Sequence, residues 1–341
     1  MLVVALAQAQ RDAGHEVVVH ALSAEGAISE RLQRAGIPFR THLSKGAPRR
    51  IWEMTHALRR EHLDVLHCHN SAPLIVGGIA GKIARVKAIV VTRHHPSFHG
   101  AEDRKFWRAA KCADRVVACS EVVYQEMSGD DFADRNKLVL IGNGAGVPVY
   151  DSMGEQPAPR RGVRFISVGR MVWEKDYPTL VEALRIAKQS ESDLELWIAG
   201  DGVERGKVEA KIRESGMEHS ITLLGMKKNA GFYLRQSDVF VLSSVSEGLP
   251  VSLLEAMAAG LPIIVTDVGG MPGVVRTADC GVVVPKSDAH ALASGMVDLA
   301  RDESKRKRLG MNALKAYNAH FTVGRMAEQY ERLYLECLQR T

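Results

Sequence analysis

The sequence predicts an α/β protein of two Rossmann-like doubly wound domains facing across a cleft, and three observations predict it. Short β-branched apolar runs alternate with helical patterns of roughly 10–15 residues along almost the whole chain, as βαβ units and parallel sheets covered on both faces require. At 341 residues the chain exceeds what one hydrophobic core usually serves. A Gly- and Pro-rich segment without apolar periodicity, GNGAGVPVYDSMGEQPAPRR at 142–161, separates two series of such runs.

Taken in order, the chain opens on a helical pattern, VVALAQAQRDAGHE, which ends at Gly14, a residue suited to a helix C-cap. A doubly wound domain normally opens with a central strand and a glycine-rich turn. The first domain is therefore expected to lack its opening strand, as an amino-terminally truncated chain would. The strand candidates that follow are EVVVH (16–20), DVLHCH (64–69), AIVVT (88–92), RVVACS (115–120) and KLVLI (137–141). After the separating segment come RFISVG (164–169), LELWIAG (194–200), ITLLG (221–225), DVFVLSS (238–244), PIIVTD (262–267) and GVVVP (281–285). Beyond 285 the pattern is helical only, ending in the amphipathic segment 322–340. The expected organisation is an acceptor-side domain at 1–145, a linker at 146–162, a donor-side domain at 163–320, and a helix at 321–341 able to cross back to the first domain.

Composition excludes several classes. Apolar residues make up 46% and charged residues 25%, ordinary for a soluble chain, and no apolar run approaches the ~20 residues that cross a bilayer. Cys68, Cys112, Cys119, Cys280 and Cys337 are scattered without metal-ligand spacing and read as small core residues in a reducing compartment. The first residues lack a basic n-region and a small-residue cleavage site, so the expected location is the cytoplasm. The net charge of +5 sits wholly in residues 1–150, which hold 20 Lys/Arg against 15 Asp/Glu and ten of the 13 histidines. Such a half suits anionic headgroups or a phosphorylated substrate, or is simply a solvated face. PRRIWEMTHALRRE (48–61) and EDRKFWRAAK (102–111) mix cations with Trp52, Phe106 and Trp107, which fits either a surface at the inner face of the cell membrane or helices packing their aromatics inward.

The stretch SEGLPVSLLEAMAAG, 246–260, carries the chemistry. After the strand DVFVLSS the chain turns through Ser246, Glu247 and Gly248, and Pro250 suits the first position of a helix that runs to a Gly260 cap. Free N–H groups and a partial positive charge at that helix end can hold a phosphate. Glu255 lies ~7.5 Å along the helix, and a carboxylate there can accept from both vicinal hydroxyls of a ribose. The bland alternative is an exposed helix acid and a turn acid. A second stretch, SVGRMVWEKDYPTL at 167–180, places Arg170 and Lys175 in the loop after another strand, one a bidentate fork for phosphate and the other a point charge.

Residues 163–285 resemble the donor half of the family 4 retaining glycosyltransferases, through SVGRMVWEK, IAGDG (198–202), ITLLG, SDVFVLSSVSEGLPVSLLEAMAAGLPIIVTDVGG and CGVVVP. The first half is similar too, through GHEVVVHAL, DVLHCHN, VVTRHH, RVVACSE and the GNG at 142–144. The resemblance implies the two-domain GT-B architecture and transfer of a sugar, with retention, from a nucleoside diphosphate sugar to a hydroxyl. UDP-sugars are favoured over GDP-mannose, with a saccharide or lipid-linked glycan as acceptor in cell-surface polysaccharide synthesis.

Residue by residue, the resemblance assigns the diphosphate to Arg170 and Lys175 after Gly169, ribose to Glu255, and the transferred sugar to Glu247. It assigns phosphate and sugar to the main chain of Gly248, Leu249, Pro250 and Val251, the border of the base to Gly225 and Met226, and the reacting sugar to His94. Asp176 departs from the family, which often has glycine there. His95 and His99 compete with His94, and only the T-x-H match separates them. His67 and His69 read as acceptor-side polar residues or as half of a metal site without a third ligand. Asp201 reads as a turn residue. No D-x-D, P-loop or G-x-G-x-x-G is present, so neither a metal nor a cofactor is expected, and no nucleic acid. The rival functions are a sugar-nucleotide epimerase on the same architecture and an inactive nucleotide-sugar binder.

Overall fold

The computed structural model describes residues 2–24, 26–94, 101–129, 133–147, 162–227 and 229–340. His95, His99 and most of the expected linker, 148–161, lie outside the described residues. The chain forms two compact units, one of Met1–Ala145 with Val323–Thr341 and the other of Gly146–Thr322.

In the first unit, β1 (Val19–Ala21) and β2 (Phe39–Thr41) form a parallel pair, and β3 (Val65–His69), β4 (Ala88–Arg93), β5 (Arg115–Ala118) and β6 (Leu138–Leu140) form a parallel sheet in that order. β1 starts three residues later than its β-branched run suggested, and β2 was not expected, because three residues with one apolar side chain give no periodic signal. The opening helix, Leu2–Asp12, ends before Gly14, whose φ of +97° is the glycine-favouring conformation a helix end uses.

Both faces of β4 are covered, and Ile89, Val90 and Val91 are fully buried. On one side pack Leu74, Phe106, Trp107, Val123 and Met127. Phe106 and Trp107 therefore belong to the core, so of the two readings of segment 102–111 the structure has the one in which the aromatics pack inward. Trp52 differs, at 63% exposed on the helix Ala47–Glu61. The closing helix, Val323–Leu338, buries Met326, Tyr330, Leu333 and Cys337 in this unit. Its Tyr330 hydroxyl lies 2.8 Å from Thr92 Oγ1 on β4.

The second unit is one parallel sheet of β7 (Val163–Val168), β8 (Leu194–Ala199), β9 (Ile221–Gly225), β10 (Val239–Leu242), β11 (Ile263–Thr266) and β12 (Gly281–Val284), in the order β12-β11-β10-β7-β8-β9. The direction of winding reverses between β7 and β10. The loops leaving the carboxyl ends of those two strands diverge there, and such a switch point is where doubly wound sheets take ligands. Leu196, Ile198, Val239, Val241 and Ile264 anchor the sheet against the helices Tyr177–Ala187 and Ala289–Arg301. The cysteines are all free, four of them buried and Cys112 half-buried. Among the described residues no helix is long and apolar enough to cross a membrane.

Candidate active site

The β7 and β10 loops bring Lys175 and Glu247 together at the switch point, with Arg170 in the same loop as Lys175. β10 ends at Leu242, and the next two residues are hydroxyls. Ser243 Oγ donates to the carbonyls of Lys175 (2.8 Å) and Asp176 (3.0 Å), and the Val245 N–H donates to Glu174 O at 2.8 Å. The loop carrying Lys175 is thus tied to the end of β10 by its own backbone. Ser244 Oγ donates to Glu247 Oε1 at 2.9 Å, and Lys175 Nζ forms an ion pair with the same oxygen. Both partners are only 14% exposed, so the pair is held in a shielded place rather than on open surface. Arg170 is exposed and makes no ion pair among the described residues.

Two glycine contacts fix the loop backbones. A Cβ on Gly200 would lie 1.8 Å from Gly169 O, so the β8 loop closes onto the β7 loop only without a side chain there. A Cβ on Gly269, at φ +57°, would lie 2.0 Å from Glu247 O, and the Gly270 N–H donates to Gly248 O at 2.6 Å. The segment after β11 thereby holds the turn that presents Glu247. Tyr177, buried behind the loop, donates its hydroxyl to Gly169 O at 3.1 Å, and desolvation pushes its pKa up.

The helix after this turn is Val251–Ala258, one residue later than expected: Pro250, at φ −70° and ψ 133°, is the N-cap, not the first helical residue. Its fixed φ suits that place equally, and it leaves one fewer N–H to satisfy. Glu255 stands four residues after Val251, about 6 Å along the axis. It is half-buried, while Leu249 is buried. Gly225 has φ +70° and its carbonyl accepts from the Gly200 N–H at 2.8 Å, and Met226 beyond it is 73% exposed. Asp176 adopts the left-handed conformation (φ 45°, ψ 49°) and caps the helix Tyr177–Ala187, accepting from the Thr179 N–H (3.4 Å) and hydroxyl (2.7 Å). Glycine would be at ease there, and Asp is among the residues that tolerate it. Asp201 accepts from the Gly202 N–H at 2.8 Å and lies 3.4 Å from Arg205, as a turn residue does.

His94 belongs to the first unit, one residue past β4. His67 and His69 lie on β3 beside it. His67 Nε2 bonds Thr92 Oγ1 (2.7 Å) and its Nδ1 bonds Tyr334 OH (2.8 Å), so both nitrogens are engaged. Desolvation, with His94 nearby, pushes His67 down to about 3. Among the described residues no group of three or more His, Cys, Asp or Glu side chains is placed to hold a metal. The residues that sequence reasoning missed are Ser243, Ser244, Tyr177 and Gly269, which touch the site through backbone carbonyls or a carboxylate. The paired serines of DVFVLSS and the glycines of AGDG and DVGG were the available signals.

Comparison with known proteins decides the family. Residues 1–146 match the model described as Glycosyltransferase Family 4, and residues 151–316 match Glycosyl transferases group 1. The chain belongs to the family 4 glycosyltransferases. Curated relatives of this glycosyltransferase include the amylovoran biosynthesis glycosyltransferase AmsK of Erwinia amylovora, 30% identical over 58% of this chain and 54% of that protein. Another is the UDP-Gal:alpha-D-GlcNAc-diphosphoundecaprenol alpha-1,3-galactosyltransferase of Escherichia coli, 25% identical over 82% of this chain and 77% of that protein. The chain thus spans little more than half of the first and about three quarters of the second. Among solved structures, HepE of Anabaena in complex with UDP and glucose matches with a TM-score of 0.85 at 20% identity, covering 98% of this chain and 95% of that one. A glycosyltransferase from Rickettsia africae matches at 0.83 and 21%, covering 99% and 94%. These likenesses establish the GT-B fold type, two Rossmann-like parallel-sheet domains.

Proposed function

We propose that this family 4 glycosyltransferase transfers a sugar, with retention at the anomeric carbon, from a UDP-sugar to a hydroxyl of a saccharide or lipid-linked glycan in cell-surface polysaccharide synthesis. The observation that carries the reading is the Lys175–Glu247 pair, held by Ser243 and Ser244 at the switch point next to the amino end of the helix Val251–Ala258. Glu247 Oε1 is occupied by Lys175 and Ser244, which leaves Oε2 to accept from a hydroxyl of the transferred sugar. Lys175 spends one N–H on Glu247 and keeps two for the diphosphate. Arg170 and the N–H groups of the helix end add to them, and Glu255 takes the ribose hydroxyls. Gly225 and Met226 border the base, and His94 reaches the reacting sugar.

In the reaction the bond between the anomeric carbon and the diphosphate oxygen breaks, the electron pair leaves with UDP, and the acceptor oxygen attacks from the face being vacated. The acceptor's proton passes to the departing phosphate oxygen. Negative charge grows on UDP as the bond breaks, so preplaced cations and helix N–H groups stabilise the transition state more than the ground state, each by about 3 kcal/mol. These groups supply the positive charge themselves, so the scheme calls on no metal and no cofactor. The choice of UDP and of a lipid-linked or saccharide acceptor draws on the UDP-Gal and diphosphoundecaprenol in the name of the Escherichia coli relative, the UDP bound to HepE, and the amylovoran of AmsK.

Transfer from UDP-galactose and UDP-glucose to undecaprenyl-diphosphate-linked sugars is the direct assay, and Lys175→Ala is expected to lower it about 100-fold. Undiminished transfer by that variant would remove the site. An anionic membrane surface is the further partner proposed, on the helix Ala47–Glu61, where Arg49, Trp52, His56 and Arg59 share an exposed face. Vesicles containing phosphatidylglycerol should retain the protein at low salt, and Trp52→Ala should release it. Equal retention by neutral vesicles would end that proposal.

A further inference from the structure

The polar cluster at the carboxyl end of β3 and β4 has a construction that its packing alone does not require. His94 is held twice from β3. Its backbone N–H donates to Asn70 Oδ1 at 3.0 Å, and its Nε2 lies 2.9 Å from His69 Nδ1. The two imidazoles are nearly parallel, 14° apart, with centroids 5.2 Å from one another. His69 also meets the ring of His67, at 4.1 Å between centroids and tilted by 36°. His67 is itself locked by Thr92 Oγ1 and Tyr334 OH, and Tyr334 accepts from Gln10 Nε2 at 3.1 Å. The His69 ring is thus fixed by two contacts, its hydrogen bond with His94 and its packing on the locked His67.

Asn70 strengthens the case. It adopts φ +69° with ψ −178°, a region that side-chain-bearing residues rarely occupy and that costs of order 1–3 kcal/mol. Its own N–H donates to Thr92 O at 2.8 Å, so the strained residue bridges β3 to β4 through its main chain and grips His94 with its side chain. A glycine would relieve the backbone and lose the grip.

We infer that His69 and Asn70 are positioning residues for His94, Asn70 setting its backbone and His69 fixing its ring plane and the nitrogen that carries the proton. The inference rests on the reading that His94 reaches the reacting sugar. Two neutral imidazoles joined by one hydrogen bond share a single N–H, so choosing the tautomer of one chooses that of the other. Desolvation and repulsion from His67 and His94 hold His69 well below its ordinary pKa, which keeps it a neutral hydrogen-bonding partner. A sugar hydroxyl then meets an imidazole of one orientation and one protonation pattern, and a ring free to rotate would be productive only part of the time.

Two readouts test this in the full chain. Long-range 1H–15N correlation spectra at pH 7.5, with the His94 signals assigned from their loss in His94→Gln, should show one neutral tautomer in the wild type and averaged shifts in His69→Leu. In transfer, with the UDP-sugar giving the largest thermal shift, His69→Leu should lower kcat about tenfold or more and leave the donor KM within about threefold. Asn places a polar atom where Nδ1 stands and Gln does not, so His69→Asn should recover most of kcat and His69→Gln little. If His69→Leu does not fold, the Asn and Gln variants decide: equal kcat overturns the inference. Unchanged His94 shifts in a folded His69→Leu overturn it too. Shifts that move as expected while His94→Gln transfers normally would uphold the positioning and remove the role assigned to His94.

Discussion

Residues with no substrate contact assigned to them hold those proposed to make one, and this makes single substitutions informative. Ser244→Ala removes the neutral donor to Glu247 and leaves the Lys175 ion pair. Transfer should fall about three- to tenfold, the loss of one hydrogen bond of ~1 kcal/mol, with an unfolding midpoint close to wild type. A fall as large as that of Lys175→Ala would mean that the serine itself contacts the donor. Gly269→Ala puts a Cβ 2.0 Å from Glu247 O, so the turn must shift. UDP-sugar binding should weaken by more than tenfold, in a direct titration, while the sheet stays folded. Asp176→Gly exchanges backbone strain for a lost N-cap, two effects of ~1 kcal/mol with opposite sign, and should unfold within about 1 kcal/mol of wild type. Asp176→Val loses the cap and keeps the strain, and a denaturation midpoint like that of the glycine variant would contradict this account of the loop.

Strands and helices were more legible in the sequence than the contacts between them. Eleven apolar runs became strands, the most legible being those β-branched throughout and buried on both faces, as the fully buried Ile89, Val90 and Val91 of β4 are. β2 escaped because Phe39, Arg40 and Thr41 carry a single apolar side chain and lie at a sheet edge, where pairing with β1 rather than burial defines the strand. The glutamate spacing, Arg170 and Lys175 were likewise readable, since loops after strands collect at a switch point. That Lys175 would pair with Glu247 was not, because it depends on how two loops separated by about 70 residues are clamped. The aromatic segments show the same limit: the same mix of cations and aromatics gave a buried Trp107 and an exposed Trp52. At this scale the β3 histidines also make a pH prediction. His67 is held at about 3 in the folded chain and returns to 6.5 on unfolding. Below pH 6.5 the unfolded chain binds a proton that the folded chain refuses, so stability falls as pH drops from 6.5 toward 3, by up to ~1.4 kcal/mol per pH unit. Urea unfolding at pH 7.5, 6.5 and 5.5 should show a shallower decline in His67→Gln than in wild type, carboxylates elsewhere cancelling in the comparison. Equal slopes would show that His67 titrates normally.

Across the whole molecule, the closing helix Val323–Leu338 returns to the first unit, while every residue proposed to hold the donor except His94 lies in the second. Stability and donor binding should therefore separate. Tyr330→Ala removes one of the two hydrogen-bond partners of Thr92 Oγ1, leaving His67, and opens a large cavity beside β4, and should destabilise the first unit by about 3–5 kcal/mol without changing the affinity for UDP. Titration of UDP into the wild-type protein and into Glu255→Ala tests the donor cradle most directly. The wild type should bind UDP and gain about 2.7 kcal/mol of stability at 100 times the dissociation constant, and Glu255→Ala, folded but without its ribose ligand, should bind at least tenfold more weakly. Equal affinity in the two proteins would contradict the assignment of Glu255 and of the cradle built around it.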